Sequence, residues 1–210
     1  MSVFSAVVSF AAVAGLLTVI PGLDTALVLR SAIAHGRRQA FATAVGIGTG
    51  ALIWGAGAAA GVSALLTAST TAYSWLKVVG AGYLVWLGVR LVVAALRSPA
   101  AADEVVQVAT VERAWRGWRR GLLTNLVNPK IGAFYVAVLP QFIPAGTSPL
   151  MMGLLLAIVH DLEGMLWFTL LILGATKARA LLRRRSTGRT IDGVTGGVLI
   201  GFGIKLGLSR

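Results

Sequence analysis

Two short runs in this 210-residue chain set polar groups beside helix breakers within otherwise apolar sequence: Pro21-Gly22-Leu23-Asp24-Thr25 and Thr124-Asn125-Leu126-Val127-Asn128-Pro129-Lys130. Proline removes a backbone donor and clashes with the carbonyl four residues earlier, while glycine accepts the unusual backbone that follows. A helix running through Pro21-Gly22 is therefore expected to open and to restart near Asp24 or Thr25, both good N-caps. A restarted helix presents free N–H groups and a positive dipole end, chemistry suited to a carboxylate. In the second run Asn125 and Asn128 stand three apart on one face, where they can satisfy groups freed by Pro129. Lys130 is followed by apolar sequence through Gln141, so its charge needs a partner. Asp24 is one candidate, and snorkelling to the head groups is the other. Pro21, Gly22, Asp24, Thr25, Asn125, Asn128, Pro129 and Lys130 form the candidate binding set.

A third cluster, His160-Asp161-Leu162-Glu163, lies inside another apolar stretch. Helix geometry puts His160 and Glu163 on one face and turns Asp161 about 100° away from His160. Three titratable groups in hydrocarbon are costly unless they border a wet interior. An acid in such a place can take up a proton and couple solute movement to a proton gradient, which makes Asp24, Asp161 and Glu163 candidate proton carriers. A metal held by His160 and Glu163 is a second reading, and a structural pairing of Glu163 with Lys77 or Arg90 is a third. With two histidines and no cysteine, neither a metal nor a cofactor is expected, and a thiol relay is excluded. No serine paired with a histidine suggests a hydrolase.

The elements that must hold these groups are membrane helices. Hydrophobic residues make up 57% of the chain and charged residues only 12%, about half the usual soluble share of roughly 25%. Residues 1–23, 39–76 and 131–159 contain no charged side chain. Runs of about 20 apolar residues span a bilayer. The expected spans are 3–29, 40–66, 72–96, 119–141, 149–176 and 191–208, one integral membrane domain with no separate soluble part. The first reads as a retained helix, because the apolar run from Val3 to Leu29 exceeds a signal-peptide core of about 7–15 residues.

The net charge of +12 would suggest nucleic acid in a soluble protein, but here the bases sit between the apolar runs. Arg30, Arg37 and Arg38 fall in the first connection and Arg97, Arg113, Arg116, Arg119 and Arg120 in the third. Lys177, Arg179, Arg183, Arg184, Arg185 and Arg189 fall in the fifth, and the connections around 67–71 and 142–148 hold none. Positive residues stay in the cytoplasm, so the odd loops are expected inside, touching anionic lipid, and both termini outside. No nucleic-acid partner is expected. Lys77 and Arg90 bracket the third span and read as anchors.

Each half then holds three spans, with a break in the first span of each. An odd number of spans makes a second copy enter from the opposite side, so the expected fold is all-α, two inverted three-helix repeats with Pro-broken helices 1 and 4. The divisions are 1–96 for repeat one, 97–118 for a cytoplasmic linker and interfacial helix, and 119–210 for repeat two. In the middle segment Val111, Trp115, Trp118 and Leu122 recur at helical spacing. Gly46 and Gly50, Gly57 and Gly61, and Gly193, Gly197 and Gly201 line helix faces that allow close packing, and a homodimer contact is conceivable there.

At these residues the chain resembles the lysine exporter superfamily, LysE/RhtB, which includes homoserine and threonine exporters. The likeness rests on Ile20-Pro21-Gly22-Leu23-Asp24 with Gly46 to Gly50, Leu76-Lys77 through Gly88, Gly121 through Lys130, and Asp192 to Leu208. The Leu-Thr-Asn-x-x-Asn-Pro-Lys block is the most specific. The resemblance implies an inner-membrane exporter of amino acids or their derivatives, six helices, driven by ion gradients. Two departures stand out: Leu23 replaces the second proline of the family's Pro-Gly-Pro, and Asp161 and Glu163 occupy a region more apolar in many members. Export of another small solute or a metal ion by a similar architecture is the alternative.

Overall fold

The computed structural model describes residues 1–68 and 113–175, and isolated residues within 75–96 and 193–204, all of these last helical. Its elements are α1 (Val3–Val19), α2 (Leu23–His35), α3 (Arg37–Ala68), α4 (Ala114–Leu126), α5 (Pro129–Ala137), a 3-10 turn (Leu139–Phe142) and α6 (Pro149–Leu173). Among the described residues there is no strand. The chain is an all-helical membrane protein. Among the described residues, helices α3 and α6 are each long and apolar enough to cross a bilayer, and two bent pairs would bring the spans to four. Segments 97–112 and 176–192, and with them the linker, Lys77 and the basic run 177–189, lie outside the described residues, as does most of the sixth expected span.

Both predicted breaks are real bends. α1 meets α2 at 55°, and α4 meets the α5 segment at 57°. Leu23 in place of a proline has not straightened the first. The restart is one or two residues earlier than expected: Gly22 occupies the cap position and Leu23 opens α2, so Asp24 and Thr25 lie in its first turn and cap nothing. The reason is local. Pro21 disfavours helical backbone at the residue before it, and Ile20 is extended with ψ 123°. Gly22 then supplies the carbonyl that accepts from Ala26 N at 2.9 Å. At the second break Asn128 caps α5 with its side chain, accepting from Lys130 N at 3.1 Å, and Pro129 takes the first helical position where its missing N–H costs nothing. The first span also continues past 29 to His35, where Gly36 at φ 82° turns the chain directly into α3.

Small residues set the packing. A side chain at Gly46 would overlap the carbonyl of Trp118 and one at Gly121 the carbonyl of Thr43, while Gly117 lies close against Gln39 and Gly50 against the Asn125 side chain. These contacts climb both helices together, so α3 and α4 run parallel and touch nearly backbone to backbone. Lipid gives no hydrophobic drive between helices, which leaves such close contact as the main cohesion. α6 packs antiparallel on α3, with Gly48 beside Asp161, Gly55 beside Ala157 and Ala59 beside Gly153. Of the glycine faces read from sequence, Gly46/Gly50 is this seam, whereas Gly57 and Gly61 meet no described atom within 4 Å. Trp118 docks α4 further by donating to Thr49 Oγ1 at 3.2 Å, while the more exposed Trp115 stacks upon it.

The directions of α3, α4 and α6 bring exposed Arg37, Arg38, Arg113 and Arg116 to one end of the bundle, the end where α6 finishes. Two apolar clusters divide the interior. One gathers Phe10, Phe134, Tyr135, Phe142 and Leu156; the other, nearer the arginines, gathers Val28, Ala40, Ala44, Phe168, Leu171 and Ile172. We expect Gly121→Leu to destabilise the protein by about 3 kcal/mol or more, since a backbone carbonyl cannot yield as a side chain can. Gly57→Ala should stay within about 0.5 kcal/mol of wild type. Thermal unfolding of the detergent-purified variants measures both.

Candidate functional site

Between the two clusters lies a cavity of about 50 Å³, room for a few waters at roughly 10–15 Å³ each. Asp24 and Thr25 reach it from the first turn of α2, Asn125 from the last turns of α4, Lys130 from the start of α5, and His160 and Asp161 from the middle of α6. Residues 100 or more apart in sequence thus share one hollow, and both helix breaks open onto it.

The hydrogen bonds show why. In an unbroken helix Leu17 O would receive the N–H of residue 21, which proline lacks. Lys130 Nζ stands in for it, donating to Leu17 O at 3.5 Å and to Ile20 O at 3.3 Å. The equivalent carbonyl at the second break is that of Asn125. It accepts from Asn128 N at 3.1 Å and from the indole of Trp54 on α3 at 3.3 Å. The Asn125 side chain donates to Asp24 Oδ2 at 2.9 Å, a fully interior bond between the two breaks. Asp24 Oδ1 and Thr18 Oγ1, on residues lining the cavity, are buried without a hydrogen-bond partner among the described residues, and so is Asn128 Nδ2 outside it. Such orphaned groups each cost about 1–3 kcal/mol and mark places a ligand or water can satisfy.

Of the predicted binding set, Asp24, Thr25, Asn125 and Lys130 line the cavity. Pro21, Gly22, Asn128 and Pro129 shape it from behind, Gly22 by leaving room for Lys130 Nζ, which would stand 3.0 Å from a side chain there. Of the two asparagines expected to satisfy groups freed by Pro129, Asn128 caps α5 with its side chain, whereas the Asn125 side chain donates to Asp24. Lys130 reaches inward to α1 instead of snorkelling. Asp161 joins the cavity with His160, and Glu163 does not; its carboxylate lies against Gly15 of α1, with Oε2 buried and unpartnered among the described residues. His160 is held by the Tyr135 hydroxyl at 3.0 Å and packed by the rings of Phe134 and Tyr135. Among the described residues no three His, Asp or Glu side chains gather as a metal site would need. Arg90 stacks its guanidinium over Trp86 at 5.1 Å.

Thr18, Trp54 and Tyr135 were not anticipated. Each is a lone polar tip in an apolar run, the one signal the sequence carries for them.

Apolar spans, bent helices and an interior polar hollow at the bends define a membrane carrier. The chain matches the family model LysE type translocator over residues 16–210, and it belongs to that family. It is a translocator and not an enzyme. It is 30% identical to the uncharacterized membrane protein YrhP of Bacillus subtilis, over 94% of this chain and 96% of that one. It is 30% identical to the threonine efflux protein of Escherichia coli K12, over 90% and 91%. A leucine efflux protein of Klebsiella pneumoniae is 29% identical, over 89% and 87%. No solved structure matches the chain.

Removing the Asn125 amide should orphan Asp24 Oδ2 as well as Oδ1, so Asn125→Ala is expected to cost about 2–3 kcal/mol. Trp54→Phe leaves the Asn125 carbonyl with one donor and should cost about 1 kcal/mol. Thermal melts rank the two.

Proposed function

We propose that this chain is a secondary-active exporter of amino acids or their derivatives across the inner (plasma) membrane, coupled to proton entry. The cavity that joins Asp24, Thr25, Asn125 and Lys130 to Asp161 carries the reading. Relatives named for threonine and leucine efflux along nearly the full chain support the cargo class. A cargo carboxylate meets the start of α2 and Lys130; its ammonium faces Asp24 and the carbonyls of the break. Asp161, which borders the same hollow, carries the proton, and Glu163 on the α1 side is the second acid available to it. The two apolar clusters act as gates. Parting either one opens the hollow to one side of the membrane.

Six spans in two inverted repeats, divided at 97–118, fit this scheme, since both halves break at nearly equal angles and each break holds the other. Alternating access is a rocking of one half against the other. The end bearing Arg37, Arg38, Arg113 and Arg116 is the cytoplasmic face, and both termini lie outside.

Efflux from proteoliposomes loaded with a panel of amino acids, with an imposed proton gradient, tests the function. Export of at least one amino acid, accelerated by the gradient, is expected. Asp161→Asn should keep exchange of labelled for unlabelled cargo yet lose the acceleration, and indifference to that change would refute the proton assignment. The absence of cysteine allows a clean topology test. In intact cells an impermeant thiol reagent should label Thr147→Cys, and Ser186→Cys only after lysis.

A further inference from the structure

The cation already inside the cavity has an unusual place. Lys130 is the second residue of α5, at the positive end of that helix, where a cation is disfavoured. Its ammonium reaches across to the C-terminal carbonyls of α1, the negative end of another helix. The contacts, 3.3 and 3.5 Å, are longer than the usual N–H···O of about 2.9–3.0 Å. A charged donor on freed carbonyls would ordinarily draw closer. On the wall of the same cavity, Asp24 Oδ1 and Thr18 Oγ1 are buried acceptors without a partner among the described residues.

From this we infer that Lys130 is an internal stand-in for the ammonium group of the cargo. A zwitterion enters by lifting Lys130 off Leu17 O and Ile20 O; its own ammonium takes their place, and its carboxylate receives the displaced lysine. The inference rests on the reading of this cavity as the cargo site and adds how that site selects. The exchange leaves no charge bare. An ammonium has three donors to place, and the two carbonyls with Asp24 Oδ1 supply three acceptors. The carboxylate gains Lys130 beside the uncapped N-terminus of α2. An amine without a carboxylate would evict Lys130 and leave it unpaired beside a second cation. A carboxylate without an ammonium would draw Lys130 away and strand the α1 carbonyls. Only the two groups together complete the swap, so Lys130 makes the carrier specific for free α-amino acids.

The test is ligand-induced thermal stabilisation of the purified full-length chain, titrated with L-threonine and L-leucine and with their single-charge analogues. These are threoninol and leucinol, which keep the amine, and the N-acetyl amino acids, which keep the carboxylate. Wild type should bind the better amino acid at least about 100-fold more tightly than either analogue, since a site built around a polar group rejects ligands lacking it. In Lys130→Met the amino alcohol should gain and the amino acid lose, bringing the two within about threefold, because no lysine is left to strand. Lys130→Arg keeps a cation and should keep the preference. Equal binding of alcohol and amino acid by wild type, which needs no variant, overturns the inference and leaves amino-acid binding standing. So does full discrimination in Lys130→Met. Failure of either amino acid to stabilise wild type, with no efflux in the panel above, overturns the proposed cargo class and this inference with it.

Discussion

A proline within a membrane helix strips the donor from one carbonyl, and hydrocarbon offers no water to replace it. The carbonyls of Leu17 and Asn125 are in that position here, and the whole interior is arranged around supplying them. Lys130, from the second break, serves the first. Trp54 and the amide of Asn128 serve the second. The Asn125 side chain then reaches back to Asp24, so the two breaks are bonded to each other at two places. Neither break is a weak point in a helix. They form one joint, made of charge-assisted and amide hydrogen bonds, between distant parts of the chain.

That joint needs room, and glycines provide it. Gly22 leaves space for the lysine, Gly50 for Asn125 and Gly48 for Asp161. The same absence of side chains draws α3 against α4 and α6 against α3, so the polar groups are brought together by the contacts that hold the bundle. Leu17, Ala51 and Ile131 of one apolar cluster line the cavity on one side, and Ala44, Ile47 and Phe168 of the other cluster line it as well. A hollow lined by polar and charged groups between two apolar clusters is the setting on which the proposed carrier cycle is built.

Much of this was legible beforehand because bilayers restrict the options. Proline, glycine and a charge together in an apolar run have few tolerable arrangements, and Pro21-Gly22 and Asn128-Pro129 were found as bends where the residues placed them. The meeting of Asp24, Asn125, Lys130 and Asp161 follows from the same constraint. What local pattern could not reveal was partner choice. Asp24 and Thr25 are good caps by type, yet Gly22 takes the cap because proline sets the backbone of Ile20. Helical spacing put His160 with Glu163, but a cavity at the seam of α3 and α6 selects His160 with Asp161. Trp54 and Tyr135 act through hydrogen bonds to helices far along the chain, and no periodicity reports those.

The central claim is that the two breaks are energetically one unit, and the Asp24–Asn125 bond is its most exposed test. Asp24→Asn, Asn125→Asp and the double exchange, measured together by thermal unfolding and amino-acid efflux, form a complete cycle. The account predicts that Asn125→Asp alone, which opposes two carboxylates, is severely impaired, and that adding Asp24→Asn recovers stability by a coupling of about 1–3 kcal/mol with partial return of transport. Effects that simply add, with the double variant worse than either single one, would contradict it.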